Sequence, residues 1–191
     1  MANTLLAARP PVPARLLDLG KTLRAELRTE ISFVQITARK GQLAALKTRV
    51  QERYGLALPD QPRVVSGNGL SLVWAGPDQW VMIAPAPDTR DLEFELRDAL
   101  GALASIVDQS SGRTVIRVSG EKARDVFAKG LPLDLHPRAF QPGDAAITHI
   151  SHIGAMFWQI DDVPTYEVAV FRSFTESFAD WLVHSAEEFD H

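Results

Sequence analysis

Ala145-Ala-Ile-Thr-His-Ile150, Ile153-Gly-Ala-Met-Phe-Trp-Gln-Ile160 and Thr165-Tyr-Glu-Val-Ala-Val-Phe171 are three runs, apolar or alternating, separated by short polar breaks. Their length and their aromatic and β-branched content predict three strands, with Asp161-Asp-Val-Pro164 as the turn between the last two. Upstream, Thr114–Val118 reads as a further strand and Glu121–Lys129 as a helix stopped by Gly130 and Pro132. Downstream, Ser173-Phe-Thr-Glu176 has the Ser-x-x-Glu spacing of a capping box. Phe174, Phe178, Trp181, Leu182 and Phe189 then fall on one stripe of a closing helix. Strand, helix, three strands and helix is the order of a split βαβ unit.

The preceding residues repeat that order. Ile31–Ala38 suits a strand, and Gly41 opens a helix carrying Leu43, Leu46, Val50 and Tyr54 on one face until Gly55 ends it. Leu70–Trp74 and Trp80–Ala84 predict a hairpin reversed at Gly76-Pro77. Asp88 is the expected cap of a helix bearing Leu92, Leu96, Ala99, Leu100 and Leu103, and Ser105–Gln109 follows as a short strand. The fold class is therefore α+β, with two ferredoxin-like split-βαβ halves at about 31–109 and 113–188 in one pseudo-duplicated domain over 31–191. Residues 1–30 are expected to be an N-terminal arm and linker, because Ala8-Arg-Pro-Pro-Val-Pro13 carries a polyproline bias and no periodic apolar pattern.

At 191 residues with 46% hydrophobic and 23% charged side chains, the chain has material for a sizeable core and none of the bias of a disordered or fibrous protein. It contains no cysteine, which removes disulfide frameworks, thiolate nucleophiles and iron–sulfur ligation, and fits a reducing compartment. Arg9 and the prolines at 10, 11 and 13 interrupt any signal-peptide core, and Gly76-Pro-Asp-Gln79 breaks the longest apolar stretch. A cytoplasmic protein without a membrane span is expected. The formal charge of −4 conceals ten Lys or Arg against four Asp or Glu in residues 1–53; the simplest reading is solvated helix faces, the other a basic docking surface.

Reactive constellations are sparse. His149-x-x-His152 would place its rings on opposite faces of a strand, with no cysteine to complete a metal set. Ser66-Gly-Asn-Gly-Leu70 lacks the third glycine and the strand-to-helix context of a dinucleotide fingerprint, and no Gly-Lys-Ser/Thr offers a phosphate loop. Ser110-Ser-Gly112 follows Asp108 without a nucleophile elbow. Asp161, Asp162, Glu187, Glu188 and Asp190 sit where solvation alone accounts for them. The acidic balance and the missing basic-aromatic strand argue against RNA recognition. Trp74, Trp80, Trp158 and Trp181 read mainly as core, and no catalytic, cofactor-binding or metal-binding residue is expected.

One string of motifs is more specific: Val107-Asp-Gln-Ser110, Val115-Ile-Arg-Val-Ser-Gly120, Ala123, Leu131-Pro-Leu-Asp-Leu135, Phe140-Gln-Pro-Gly143, and Arg172-Ser-Phe174 ahead of Trp181-Leu182. Together with Trp74-Ala-Gly-Pro-Asp-Gln-Trp80 and Ile83-Ala-Pro85, it closely resembles the gamma subunit of heterotetrameric sarcosine oxidase over roughly Ile31 to Glu187. That family is similar in turn to the folate-binding region of the glycine-cleavage aminomethyltransferase, whose Asp-x-Ser, strand and Ser-Gly-helix segment looks like Asp108 to Ala123. The resemblance implies a duplicated α+β fold, truncated relative to the transferase, which continues into a further domain. It also implies a complex that oxidatively demethylates sarcosine to glycine, forming hydrogen peroxide and 5,10-methylenetetrahydrofolate. FAD, FMN, NAD and tetrahydrofolate would lie on other subunits, and alpha (large), beta and delta chains would be the partners. The transferase's acidic strand here reads Gly154-Ala-Met-Phe-Trp-Gln-Ile160, so Met156, Phe157 and Trp158 are expected to serve assembly and not folate. The alternative motivated by Asp108 is a free-standing folate-binding, aminomethyltransferase-like protein; a generic interaction module is a third reading.

Overall fold

The computed structural model describes residues 11, 19, 22–85 and 91–189. The first half forms β2 (Ile31–Ala38), α1 (Leu43–Tyr54), β3 (Val64–Gly67), β4 (Leu70–Gly76), β5 (Gln79–Pro85), α2 (Leu92–Leu100) and β6 (Ala104–Asp108). The second forms β7 (Arg113–Ser119), α3 (Ala123–Ala128), β8 (Ala145–Ile150), β9 (Ile153–Asp161), β10 (Thr165–Phe171) and α4 (Thr175–Ala186). A strand before both, β1 (Arg24–Leu27), lies within the stretch expected to be arm and linker.

Two five-stranded antiparallel sheets result, ordered β3-β4-β5-β2-β6 and β8-β9-β10-β7-β1. Position by position they correspond, except at one edge. The first half supplies its own edge strand, β6, after its second helix; the second half reaches α4 with that edge open, and β1 pairs there along β7 from Arg24↔Ser119 to Leu27↔Ile116. The ladder continues with the Arg28 amide donating to the Val115 carbonyl at 2.9 Å. The N-terminal stretch is thus part of the second sheet, which the short and half-polar sequence Arg-Ala-Glu-Leu does not advertise.

Each sheet carries its helices on one face and meets the other sheet with the opposite face, giving four layers. Val34, Ile36, Leu72, Trp80 and Met82 pack under α1 and α2, while Ile116, Val118, Phe157, Tyr166 and Val168 pack under α3 and α4. Between the sheets lie Phe33, Val73, Val81, Ile83, Val115, Met156, Trp158 and Ala169. Strands covered on both faces need apolar side chains at successive positions, which explains unbroken runs such as Val81-Met-Ile-Ala84.

The local signals hold with three adjustments. Asp91 caps α2 by accepting from the Phe94 amide at 2.9 Å, and Asp88 lies outside the described residues. Ser173 falls inside a 3₁₀ turn over Arg172–Phe174, so α4 starts at Thr175 without a side-chain cap and the expected capping box does not form. The Thr175 hydroxyl lies 2.9 Å from both the Thr114 hydroxyl and the Arg172 carbonyl oxygen, tying the helix start to β7. This shift in phase leaves Phe174 exposed and puts Thr175, Phe178, Ala179 and Leu182 on the buried stripe. Finally, Asn68 and Gly69, both at positive φ (54° and 74°), make the two-residue turn of a β3–β4 hairpin.

Gly120 is where the N-terminal stretch enters. It sits at φ 125°, and a Cβ placed there would lie 2.3 Å from the Thr22 carbonyl oxygen and 3.2 Å from the Leu23 Cα. Gly120→Ala is expected to destabilise the chain by about 1–3 kcal/mol and to speed hydrogen exchange in β1 ahead of the other strands. Equal protection of β1 in both proteins would contradict this.

Tyr166 is fully buried, and burial pushes its phenol above the ordinary value of 10.0 while the Arg124 guanidinium opposes the shift. The folded chain therefore keeps a proton that the unfolded chain releases. This contribution to stability is full below pH 10 and is lost as pH rises through the folded value. Tyr166→Phe should flatten the alkaline limb in urea melts above about pH 10, with no difference in slope below it.

Candidate functional site

The seam where the chain passes from one sheet to the other carries the Asp108-x-Ser110 motif. Ser110 donates its amide to Asp108 Oδ1 at 2.8 Å and its hydroxyl to the same oxygen, and the Phe33 amide donates to Ser110 Oγ at 2.9 Å. Asp108 thus organises the β6–β7 connection, and Ser110 locks that connection onto β2. Asp108 Oδ1 and the Ser110 amide and hydroxyl are thus engaged in shaping and fastening this connection.

Across the inter-sheet face of the second sheet runs a row of paired residues: Glu26, Arg117, Glu167, Trp158 and Ala145. Glu167 is buried. Its Oε1 accepts from Arg117 Nε at 3.1 Å and Nη2 at 2.8 Å and also from Arg28 Nη1, while its Oε2 accepts from Trp158 Nε1 at 3.1 Å. A buried carboxylate is tolerable because both oxygens are satisfied and two guanidinium groups balance it. Arg28 follows β1 directly, so the same cluster fastens the added edge strand.

Two cavities open along the seam. One, of about 570 Å³, has Arg28, Arg113 and Arg172 on its wall beside Ser110 and Ser111; the other, of about 230 Å³, lies between the sheets near Gln35, Gln79 and Met156. Arg113 borders both, and its guanidinium carbon lies 3.6 Å from the centroid of the Phe171 ring. Burial lowers the Arg113 pKa from its ordinary value.

Met156, Phe157 and Trp158 are all buried, Phe157 under the helices and the other two between the sheets. The three residues expected to serve assembly therefore assemble this chain's own layers; the alternation of a strand covered on both sides decides it. Asp161 caps its own turn by accepting from the Val163 amide at 3.0 Å, and Asp162 is exposed. His149 stands on β8 and His152 in the following turn at φ 73°. Among the described residues no three His, Asp or Glu side chains gather to hold a metal ion.

Sequence reasoning passed over Glu167, Arg117, Arg28 and Arg113. The signal for the first two was present: one carboxylate in Tyr166-Glu-Val-Ala-Val170 and one guanidinium in Val115-Ile-Arg-Val118, each alone in an apolar strand. An ionisable group there needs a partner in a neighbouring strand.

A family model described as sarcosine oxidase, gamma subunit family, matches residues 40–188. The chain belongs to that family. It is 34% identical over 202 residues to the sarcosine oxidase subunit gamma of Corynebacterium sp. (strain P-1), covering 98% of this chain and 96% of that relative. The counterpart from Arthrobacter sp. is 34% identical over 199 residues, with the same coverage. Among solved structures, the heterotetrameric sarcosine oxidase from Corynebacterium sp. U-96 in complex with pyrrole 2-carboxylate superposes with a TM-score of 0.82 and 26% identity, covering 96% of this chain and 97% of that one. The glycine cleavage system aminomethyltransferase T from Bartonella henselae matches with a TM-score of 0.62 and 13% identity over 89% of this chain and 48% of that one, a likeness of fold alone. The α+β architecture read from the sequence is thus shared with the sarcosine oxidase chain and with about half of the transferase.

Removing the Glu167 carboxylate would leave Arg28 and Arg117 facing each other without a counter-charge and Trp158 Nε1 without an acceptor. Glu167→Ala is expected to destabilise by about 3–5 kcal/mol, with Glu167→Gln milder because it retains an acceptor. Urea unfolding of the two variants measures the order; an Ala variant as stable as the parent would refute it.

Proposed function

We propose that this chain is the gamma subunit of a heterotetrameric sarcosine oxidase, in which it supplies architecture and no reacting group. The observation that carries the reading is the near end-to-end correspondence with a chain of the Corynebacterium sp. U-96 heterotetramer, at TM-score 0.82 over 96% of one chain and 97% of the other. The partners are the alpha (large), beta and delta chains. The assembled enzyme oxidises sarcosine to glycine, reduces oxygen to hydrogen peroxide and passes the one-carbon unit to tetrahydrofolate as the 5,10-methylene form. FAD, FMN, NAD and tetrahydrofolate reside on the other subunits. The polar residues of the seam are consistent with this division, since Asp108, Ser110 and Glu167 are engaged within the chain.

The compartment is the cytoplasm. The cysteine-free composition supports this, and no described helix is long and apolar enough to cross a membrane. Large apolar side chains left in solvent, Phe94 (71%) and Val163 (65%) foremost, are available for contact with the other subunits.

Affinity purification of the tagged chain from its native host under non-denaturing conditions tests the assignment. The expected eluate holds three further chains, a flavin absorbance spectrum and sarcosine-dependent peroxide formation. Recovery of the chain alone, as a monomer with no bound flavoprotein, would overturn it.

A further inference from the structure

The layer between the two sheets does not close at one end. Around the smaller cavity the first sheet contributes Gln35 and Gln79, and the second leaves Ile147 (49% exposed) and Phe171 (47%) open to solvent. Val107, also exposed, is the register partner of Gln35 and so stands on the same face of the first sheet. Three of the seven large apolar side chains left exposed among the described residues thus gather at one cleft, and a Cβ added at Gly154, on its wall, would meet nothing within 4 Å.

The cleft also carries a charge. The Arg113 guanidinium lies 3.6 Å from the centroid of the Phe171 ring, which lines this cavity and not the larger one. Among the described residues the Arg113 side chain has no ion-pair partner, and no carboxylate lines the cavity. Its Nε is buried without an acceptor, so the accessible donors of this half-buried side chain are its two Nη groups. Gln35 Nε2 donates to Gln79 Oε1 at 3.1 Å, which leaves the Gln35 oxygen and the Gln79 NH2 without a partner among the described residues.

Given the heterotetrameric assembly proposed above, on which this reading rests, we infer that the cleft receives a segment of a neighbouring subunit. That segment brings an Asp or Glu carboxylate to Arg113 and an apolar side chain against Ile147 and Phe171. Charge complementarity selects it: a guanidinium flat on an aromatic ring, with no carboxylate of its own chain beside it, is balanced by an acidic group from outside. The apolar rim excludes water once it is covered, which strengthens such a pair. The cavity volume of about 230 Å³ is below the roughly 300 Å³ at which pockets for whole small molecules begin, and it suits one inserted side chain instead. The Gln35 oxygen and the Gln79 NH2 supply an acceptor and a donor for the peptide groups on either side of that side chain.

Replacing Ile147 by the photocrosslinking amino acid p-benzoylphenylalanine in the tagged full-length chain, expressed in its native host, tests the cleft on a complex whose Arg113 is intact. Irradiation is expected to join this chain to another subunit, within a peptide that carries Asp or Glu beside apolar residues. In parallel, Arg113→Glu should lower the flavoprotein recovered with the chain about tenfold or more, and Arg113→Gln by less. Arg49→Glu, an exposed reversal on α1, should leave recovery unchanged. Thermal melts confirm that each variant is folded, and the crosslink alone decides if Arg113→Glu is not. A parent chain that recovers no flavoprotein removes the assembly and this site together. A parent that recovers it, but whose crosslink reaches a second copy of this chain, a segment without a carboxylate or nothing, overturns the docking site alone, as does undiminished recovery with Arg113→Glu.

Discussion

Two sheets that must each bury both faces are the constraint from which the rest of this structure follows. A five-stranded antiparallel sheet covered by helices on one side still presents an apolar face on the other, and here each sheet uses its twin as the cover. The contact is made by side chains at alternate positions: Phe33, Val81 and Ile83 from one sheet against Val115, Met156 and Trp158 from the other. The intervening positions go to the two helix-facing cores, where Phe127, Phe157 and Tyr166 pack with ring centroids 4.9–5.5 Å apart. Each half thus relies on the other to cover its inter-sheet face.

The duplication is imperfect, and the imperfection explains the polar cluster. Among the described residues no strand of the second unit follows α4, so β7 offers an edge of open backbone groups to another segment. β1 fills it, but a four-residue strand contributes few ladder bonds of its own. Extra fastening comes from Arg28 on Glu167, from the close approach of Thr22 to Gly120, and from the Thr22 hydroxyl donating to the Phe189 carbonyl at 3.0 Å. Glu167 thus joins β1, β7, β9 and β10 through one carboxylate. It is the polar counterpart of the hydrophobic seam beside it.

Much of this was readable in the sequence because regular elements with strong periodicity announce themselves. β2 and α1 match the expected spans, and the order of helices and strands in both halves follows from where the apolar period changes. Three features escaped for physical reasons. β1 and β3 are four residues long, below the length at which alternation is distinguishable from composition, although Asn68-Gly69 was a hairpin signal within a segment read as a loop turn without flanking strands. The α4 cap failed because a 3₁₀ turn consumed the serine, and a local motif cannot report what the preceding turn does. The ionic cluster and the arginine-lined cavity combine residues far apart in the chain, and only the register of neighbouring strands brings them together.

The family's relation to an aminomethyltransferase fold gains meaning from how the shared segment is used. Asp108 and Ser110 stand just ahead of the second half, and the Ser110 amide and hydroxyl and Asp108 Oδ1 are engaged within the chain itself. Carboxylates on the strand that carries Met156 to Trp158 would have to lie either against α3 and α4 or between the sheets, and packing of this density admits neither without a matching cation. Within the seam, Glu167 balances Arg28 and Arg117, while the Arg113 guanidinium lies against the Phe171 ring.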